Sequence, residues 1–178
     1  MKPEIISTEE IYRGKIFNLS LATVRENEIT YERDIITHPG SAVIVPVFAD
    51  KTVALVRQYR HPAQKYLLEL PAGSLDEGET AETGARRELE EEIGVQAEKI
   101  EKLTEFYVSP GFLSEKMFVF LATGLRDVGQ KLEDDELLLI ERLTFPNAFE
   151  MIRKGEIEDA KTMLGLILSG GKLGFSYN

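Results

Sequence analysis

The chain is predicted to fold as an α/β (α+β) sandwich in which strands predominate. Three observations carry that prediction. Apolar runs of strand length recur from the start of the chain to Leu143. Helical spacing is confined to one acidic stretch in the middle and two short stretches near the end. Gly, Pro, Asn and Asp stand at the joints. Taken in order, residues 1–38 form a strand-rich lead segment, with runs at 5–6, 11–17, 19–25 and 29–37 broken by Gly14, Asn18 and Asn27. His38-Pro39-Gly40 is a turn signal and divides this segment from a main domain at 39–178. Strands are then expected at 42–48 and 53–58, joined at 49–51, and at 66–70. Residues 71–78, rich in Gly, Pro and Asp, read as a loop. A helix follows over 81–93, with Thr80 as its N-cap and Gly94 as the residue that ends it. Gly84 inside that helix costs about 1 kcal/mol relative to Ala, so close packing is expected there. Strands resume at 100–108 and 116–122, a polar loop spans 124–136, and a further strand covers 137–143. Short helices at 147–154 and 160–168 complete the pattern.

Composition narrows the function. The 178 residues include 31 Asp and Glu against 21 Lys and Arg, a net charge of −10, with 43% hydrophobic residues. That balance is of a globular protein, not a disordered chain. An acid excess argues against a duplex nucleic-acid binder or an anionic-membrane binder, because both need a basic surface. There is no Cys, which excludes disulfides, thiolate zinc sites and cysteine nucleophiles, and with only His38 and His61 a histidine-built metal centre is not expected. No apolar run approaches a membrane span and the first twenty residues lack a signal-peptide core, so a cytoplasmic protein is expected.

The chemistry concentrates in residues 76–92, which hold eight acids and two bases. On the expected helix, Glu88, Glu91 and Glu92 fall at i, i+3 and i+4, so three carboxylates crowd one face. Like charges at that spacing destabilise an isolated helix by roughly a few tenths of a kcal/mol per pair. Arg87, four residues before Glu91, offsets part of this, and a bound divalent cation would offset more. Carboxylate oxygens without thiolates select a hard cation, Mg2+ or Mn2+, over zinc. The spacing Gly-x5-Glu-x7-Arg-Glu-aliphatic-x-Glu-Glu-x-Gly-aliphatic is met at Gly73, Glu79, Arg87, Glu88, Leu89, Glu91, Glu92, Gly94 and Val95. This stretch resembles the Nudix box at every constrained position. The resemblance implies a Nudix α/β/α sandwich with a mixed sheet, preceded by an N-terminal antiparallel β segment. It implies that Glu88, Glu91, Glu92 and the backbone carbonyl of Ala72 hold Mg2+, with Arg87 and Glu79 orienting the ligands and catalytic work falling to Glu91 and Arg87. The reaction it implies is metal-assisted attack of water on a phosphorus of a nucleoside diphosphate derivative.

Residues 56–60 (Val-Arg-Gln-Tyr-Arg), 68–73 (Leu-Glu-Leu-Pro-Ala-Gly) and 109–115 (Ser-Pro-Gly-Phe-Leu-Ser-Glu) are similar to those of ADP-ribose pyrophosphatases, with Pro110 fifteen residues past the box. Arg57 and Arg60 offer fork-shaped donors to phosphate or ribose, and Tyr59 or Phe17 a ring to stack on a base. Glu115 is expected near the metal or as a holder of its loop. The subfamily resemblance implies that a glutamate of the second acidic cluster, 133–136, is the catalytic base. Glu133 with Asp135 as its companion is the first assignment, and Glu136 the alternative. It also implies a homodimer in which N-terminal strands exchange, with Arg25 and Arg33 reaching substrate across the boundary. The leading expectation is Mg2+-dependent cleavage of ADP-ribose to AMP and ribose 5-phosphate. Hydrolysis of another nucleotide sugar, such as GDP-mannose or ADP-glucose, is the alternative within the class, and a non-catalytic ADP-ribose-binding regulator the rival outside it.

Overall fold

A computed structural model describes residues 2–132 and 137–177. The chain divides into two compact units, Met1–Gly40 with Phe106–Met117, and Ser41–Glu105 with Phe118–Asn178.

In the first unit, β1 (Glu4–Arg13), β2 (Asn18–Glu26) and β3 (Ile29–Thr37) form an antiparallel sheet in that order. Asn27, at φ 55°, makes the tight turn between β2 and β3, where a short polar side chain tolerates the left-handed region. β1 is one continuous strand where the sequence suggests separate runs at 5–6 and 11–17, and the difference has a physical cause. Its register with β2 shifts between Ile5 and Ser7 and again between Glu10 and Tyr12, so an extra residue interrupts the two-residue period twice. β2 turns Ala22 and Val24 inward, while every residue of β1 is exposed. Beside this sheet, Ile36 pairs with Leu113, and the Ser114 hydroxyl accepts from the His38 amide at 2.9 Å.

The second unit is built on β4 (Ser41–Pro46), all six of whose residues are buried, as expected of a central strand covered on both faces. It lies between β7 (Ala72–Ser74) and β9 (Lys116–Asp127), with β8 (Val95–Tyr107) on the far side of β9. A second sheet orders β10 (Leu138–Thr144), β5 (Thr52–Arg60) and β6 (Lys65–Glu69), both pairs antiparallel. Helix α1 (Ala81–Glu88) runs into a π-helical turn at Leu89–Ile93, and α2 (Phe145–Arg153) and α3 (Ala160–Lys172) follow β10. Both α1 and α3 pack on β4. Ala42, Ile44, Ala54, Val56, Ala85, Leu89, Ile93, Phe120 and Ala122 form one buried core between these elements.

The expected α+β fold is present, with refinements; α2 starts two residues earlier than expected and α3 runs on to Lys172. The stretch read as a loop at 71–78 contains β7, a strand because Val43 and Ser41 of β4 pair with Ala72 and Ser74. The strand expected from 100 begins at Val95, directly after the helical stretch, and β9 continues to Asp127 through Gly124. The single helix expected over 81–93 is α-helical only to Glu88. Among the described residues no helix is long and apolar enough to cross a membrane.

Candidate active site

The site begins with how α1 is started and stopped. The Thr80 hydroxyl accepts from the Thr83 amide at 3.2 Å, the ordinary N-cap bond. Gly94 ends the π-turn at φ 73°, where its amide donates to the carbonyls of Leu89 and Glu90. Between these points Ala85, Leu89 and Ile93 recur every fourth residue and are drawn into the core. Glu88 and Glu92, one position before Leu89 and Ile93, are carried down with them and retain only 7% and 3% of their exposure.

Two glycines let the box close on itself. A Cβ on Gly73 would lie 1.8 Å from the Glu88 carboxylate, so β7 approaches that side chain as only a glycine permits. A Cβ on Gly84 would stand 2.7 Å from Leu75 Cδ2, the close packing expected there. The residue of β7 preceding Gly73, Ala72, donates its amide to Glu92 Oε2 at 3.0 Å.

Arg87 is the hub of the acids. Its Nε and Nη2 donate to the two oxygens of Glu79 at 3.1 and 2.9 Å. Its Nη1 donates to Glu88 at 2.6 Å and Glu91 at 3.1 Å, and Nη2 also reaches the Ser74 carbonyl at 3.0 Å. Hydrogen bonding to Glu79, then the charge of Glu88, raise the Arg87 pKa above its ordinary value despite partial burial. In return, the Arg87 bond holds the Glu79 carboxyl below its usual range, against some desolvation and with help from the Asp76 amide.

The π-turn widens the helix where the last two acids sit, as such turns do at functional sites. Carbonyls of the turn find donors elsewhere. The Lys131 amide donates to the Glu91 carbonyl at 3.0 Å, and Gln130 Nε2 donates to that of Glu92 at 2.6 Å. The amides of Val128 and Gly129 both donate to the Gly94 carbonyl, at 2.8 and 3.1 Å. The segment 128–131 thus seals the end of the acidic turn.

The all-oxygen donor set of Glu88, Glu91, Glu92 and the Ala72 carbonyl fits a hard divalent cation. Among the described residues no three such side chains already stand as a closed metal cage. Arg87 holds Glu88 and Glu91, and the Ala72 amide holds Glu92.

The remaining sequence candidates separate by location. Arg57 and Arg60 are three residues apart on β5, so their side chains leave opposite faces. Arg57 pairs with Glu141 of β10, and Tyr59 lies edge-on to His61 and Tyr66, with centroids 5.0 and 5.2 Å away. Arg60 instead donates Nε and Nη2 to buried Glu69 at 2.7 and 2.9 Å, and it feels the charges of Glu92 and Asp159. In the first unit, Arg33 and Pro110 line a cavity of about 370 Å³ whose walls include Ile5, Val24, Ile35 and Phe112. Arg25 pairs with Glu4 at 3.0 Å, Phe17 packs against Tyr12, and Glu115 lies 3.9 Å from His38 Nδ1. Glu133, Asp135 and Glu136 lie outside the described residues. Glu69, Asp159, Lys161, Thr162 and Gln130 are not singled out by the sequence and enter through the structure alone. The available signals are a lone acid inside the apolar run 67–70 and a lysine in the first turn of a helix whose next ten residues are apolar or small.

The NUDIX domain family matches residues 38–163 of the chain. The ADP-ribose pyrophosphatase of Bacillus subtilis (strain 168) is 37% identical over 165 residues, 91% of this chain and 89% of that protein. The methanol dehydrogenase activator of Bacillus methanolicus is 35% identical, over 90% of this chain and 89% of that one. The crystal structure of an ADP compounds hydrolase shares the fold, with a TM-score of 0.86 at 24% identity, over 98% of this chain and 95% of the other.

Proposed function

Because this chain belongs to the NUDIX domain family, we propose that it is a Mg2+-dependent pyrophosphatase that cleaves ADP-ribose to AMP and ribose 5-phosphate. The observation that carries this reading is the acidic turn itself, in which Arg87 gathers Glu88 and Glu91, Glu88 lies against the glycine of β7, and the Ala72 amide holds Glu92. Those three glutamates with the Ala72 carbonyl are the residues that would hold Mg2+, and Mn2+ suits the same oxygens. When bound, such an ion supplies charge neutralisation for a pyrophosphate and a more acidic water. Arg87 holds Glu88 and Glu91 side by side, and Glu79 holds Arg87 in place from the loop. Glu133 is the proposed base that takes the proton of the attacking water, with Asp135 beside it and Glu136 as the alternative. Arg60 is proposed to face the phosphates, with Arg57 and Tyr59 also serving substrate. The apolar cavity of the first unit suits a nucleobase, with Arg33 and Pro110 in its wall and Arg25 and Glu115 near its sheet and loop. The exposed Ile5, Ile11, Tyr12 and Ile29 of the first sheet support a homodimer formed by exchange of the 1–38 segment. A nucleotide-derivative substrate accords with a cytoplasmic location.

AMP release from ADP-ribose is the test, run with Mg2+, with the ion chelated, and with GDP-mannose and ADP-glucose as competing substrates. Activity on ADP-ribose that vanishes on chelation and in Glu92→Gln is the expected result. An unchanged rate in Glu92→Gln would remove the metal assignment, and a preference for GDP-mannose would move the substrate to the other nucleotide sugars. Tight binding of ADP-ribose without any turnover would turn the reading to a regulator. Comparing Glu133→Gln with Glu136→Gln in the same assay assigns the base.

A further inference from the structure

The second unit buries an ion network that the acidic turn does not use. Glu69, at the end of β6, keeps only 2% of its exposure, and its carboxylate receives Arg60 Nε, Arg60 Nη2 and Lys161 Nζ. Lys161 is itself buried and also pairs with Asp159 at 2.9 Å. Asp159 caps α3, accepting from the Thr162 amide at 2.9 Å and the Thr162 hydroxyl at 2.6 Å. The same Thr162 hydroxyl accepts the Leu70 amide at 2.7 Å. Helix α3 is therefore capped, and docked on the strand leading into the box, without Lys161. A buried ammonium and carboxylate are expensive to desolvate, and apolar residues of similar volume would pack the joint as well. The pair thus calls for a role other than holding the fold.

We infer that Lys161 and Glu69 are positioning residues for Arg60, fixing its guanidinium so that its remaining donors meet the phosphates of the substrate. Lys161 pins one oxygen of Glu69, and the carboxylate so oriented grips the Nε–Nη2 edge of Arg60 in the bidentate geometry a guanidinium favours. Among the described residues that leaves the Nη1 donors for an anionic ligand. Arg60 keeps 38% side-chain exposure, and Glu92 of the acidic turn contributes to the field it sits in. Burial alone would push the Glu69 carboxyl up, but the Arg60 bonds and the Lys161 charge outweigh it and hold the group below its ordinary value, so the grip is ionic at neutral pH.

The inference rests on the proposed hydrolysis of ADP-ribose, and its test separates the two. Lys161→Met is expected to raise the KM for ADP-ribose by about tenfold, and likewise the Kd by calorimetry with metal chelated. The kcat is expected to stay within about twofold. In an Arg60→Met background, the same substitution is expected to move neither KM nor Kd, because its effect passes through Arg60. Lys161→Arg, which keeps the charge, is expected to recover most of the loss. If Lys161→Met does not fold, Glu69→Gln carries the same comparison. An equal rise in both backgrounds would show that Lys161 acts apart from Arg60. Unchanged KM and Kd in a folded variant would dismiss the positioning role while leaving the hydrolase reading standing. An unsubstituted protein that neither binds nor cleaves ADP-ribose would bring down that reading and this inference together.

Discussion

At Gly73 a missing methyl group decides where a carboxylate goes. An added Cβ would meet Glu88 at the far end of a flexible side chain, so the protein can yield by swinging Glu88 aside. Gly73→Ala is therefore expected to cost less than about 1 kcal/mol of stability. It is expected to lower kcat by about 100-fold, because a carboxylate proposed to hold the metal leaves productive geometry when displaced by an ångström. Paired melting and rate measurements check this. Gly94→Ala should behave in the opposite way. At φ 73° an L side chain is strained, and its Cβ would approach the Gln130 amide nitrogen to 2.6 Å, a backbone atom that cannot swing away. A loss of at least about 2 kcal/mol in urea unfolding is expected. Thr80 and Gly94 were readable from sequence because caps are local chemistry, settled by residues within a turn of one another. The purpose of Gly73 was not, since the atom it avoids belongs to Glu88 in another element.

The acidic helix shows the same limit one level up. Its start, its end and its buried row follow from spacing, but the switch from α to π geometry after Glu88 does not. The donors that take the freed carbonyls come from Gln130 and Lys131, and Gln130 stands 38 residues past Glu92. Removing one of them tests the account. Gln130→Ala is expected to destabilise the protein by about 1 kcal/mol, measured by urea unfolding, because it leaves the Glu92 carbonyl short of its donor. The Glu79–Arg87 pair, which ties the preceding loop to α1, makes a prediction about pH. The Glu79 carboxyl titrates below its ordinary 4.5 in the folded protein, so its contribution is complete above that value and is lost as pH falls through the folded pKa. Stability should decline as acid is added below about pH 4.5, and Glu79→Gln should flatten that part of the curve when unfolding is followed against pH.

Across the whole molecule the net charge of −10 has an uneven origin. Residues 76–92 carry −6 and residues 133–136 carry −4, so the rest of the chain is balanced. The excess sits in the box and in the cluster proposed to hold the base, where a bound cation would offset the repulsion between acidic protein and the proposed anionic substrate. The first unit poses the question of assembly. If its exposed apolar sheet is covered by a second copy, light scattering should give twice the chain mass of 20.1 kDa. Ile11→Asp should then return the mass to that of one chain, since a charge cannot be buried unpaired in such a contact. This unit, too, is only partly legible in the sequence. β2 and β3 are legible as the runs 19–25 and 29–37, but β1 reads as two runs, 5–6 and 11–17, because its two register shifts break the two-residue period.

The bond from Leu70 to Thr162 joins residues 92 positions apart. A ribosome completes the nine box positions well before it makes the helix that holds the strand entering them. Nascent chains halted after Val95 would therefore carry the full motif without its anchor. For the same reason, a fragment chosen by its motif would be a poor stand-in for the protein: the signature marks where the chemistry sits, and residues made much later give it its shape.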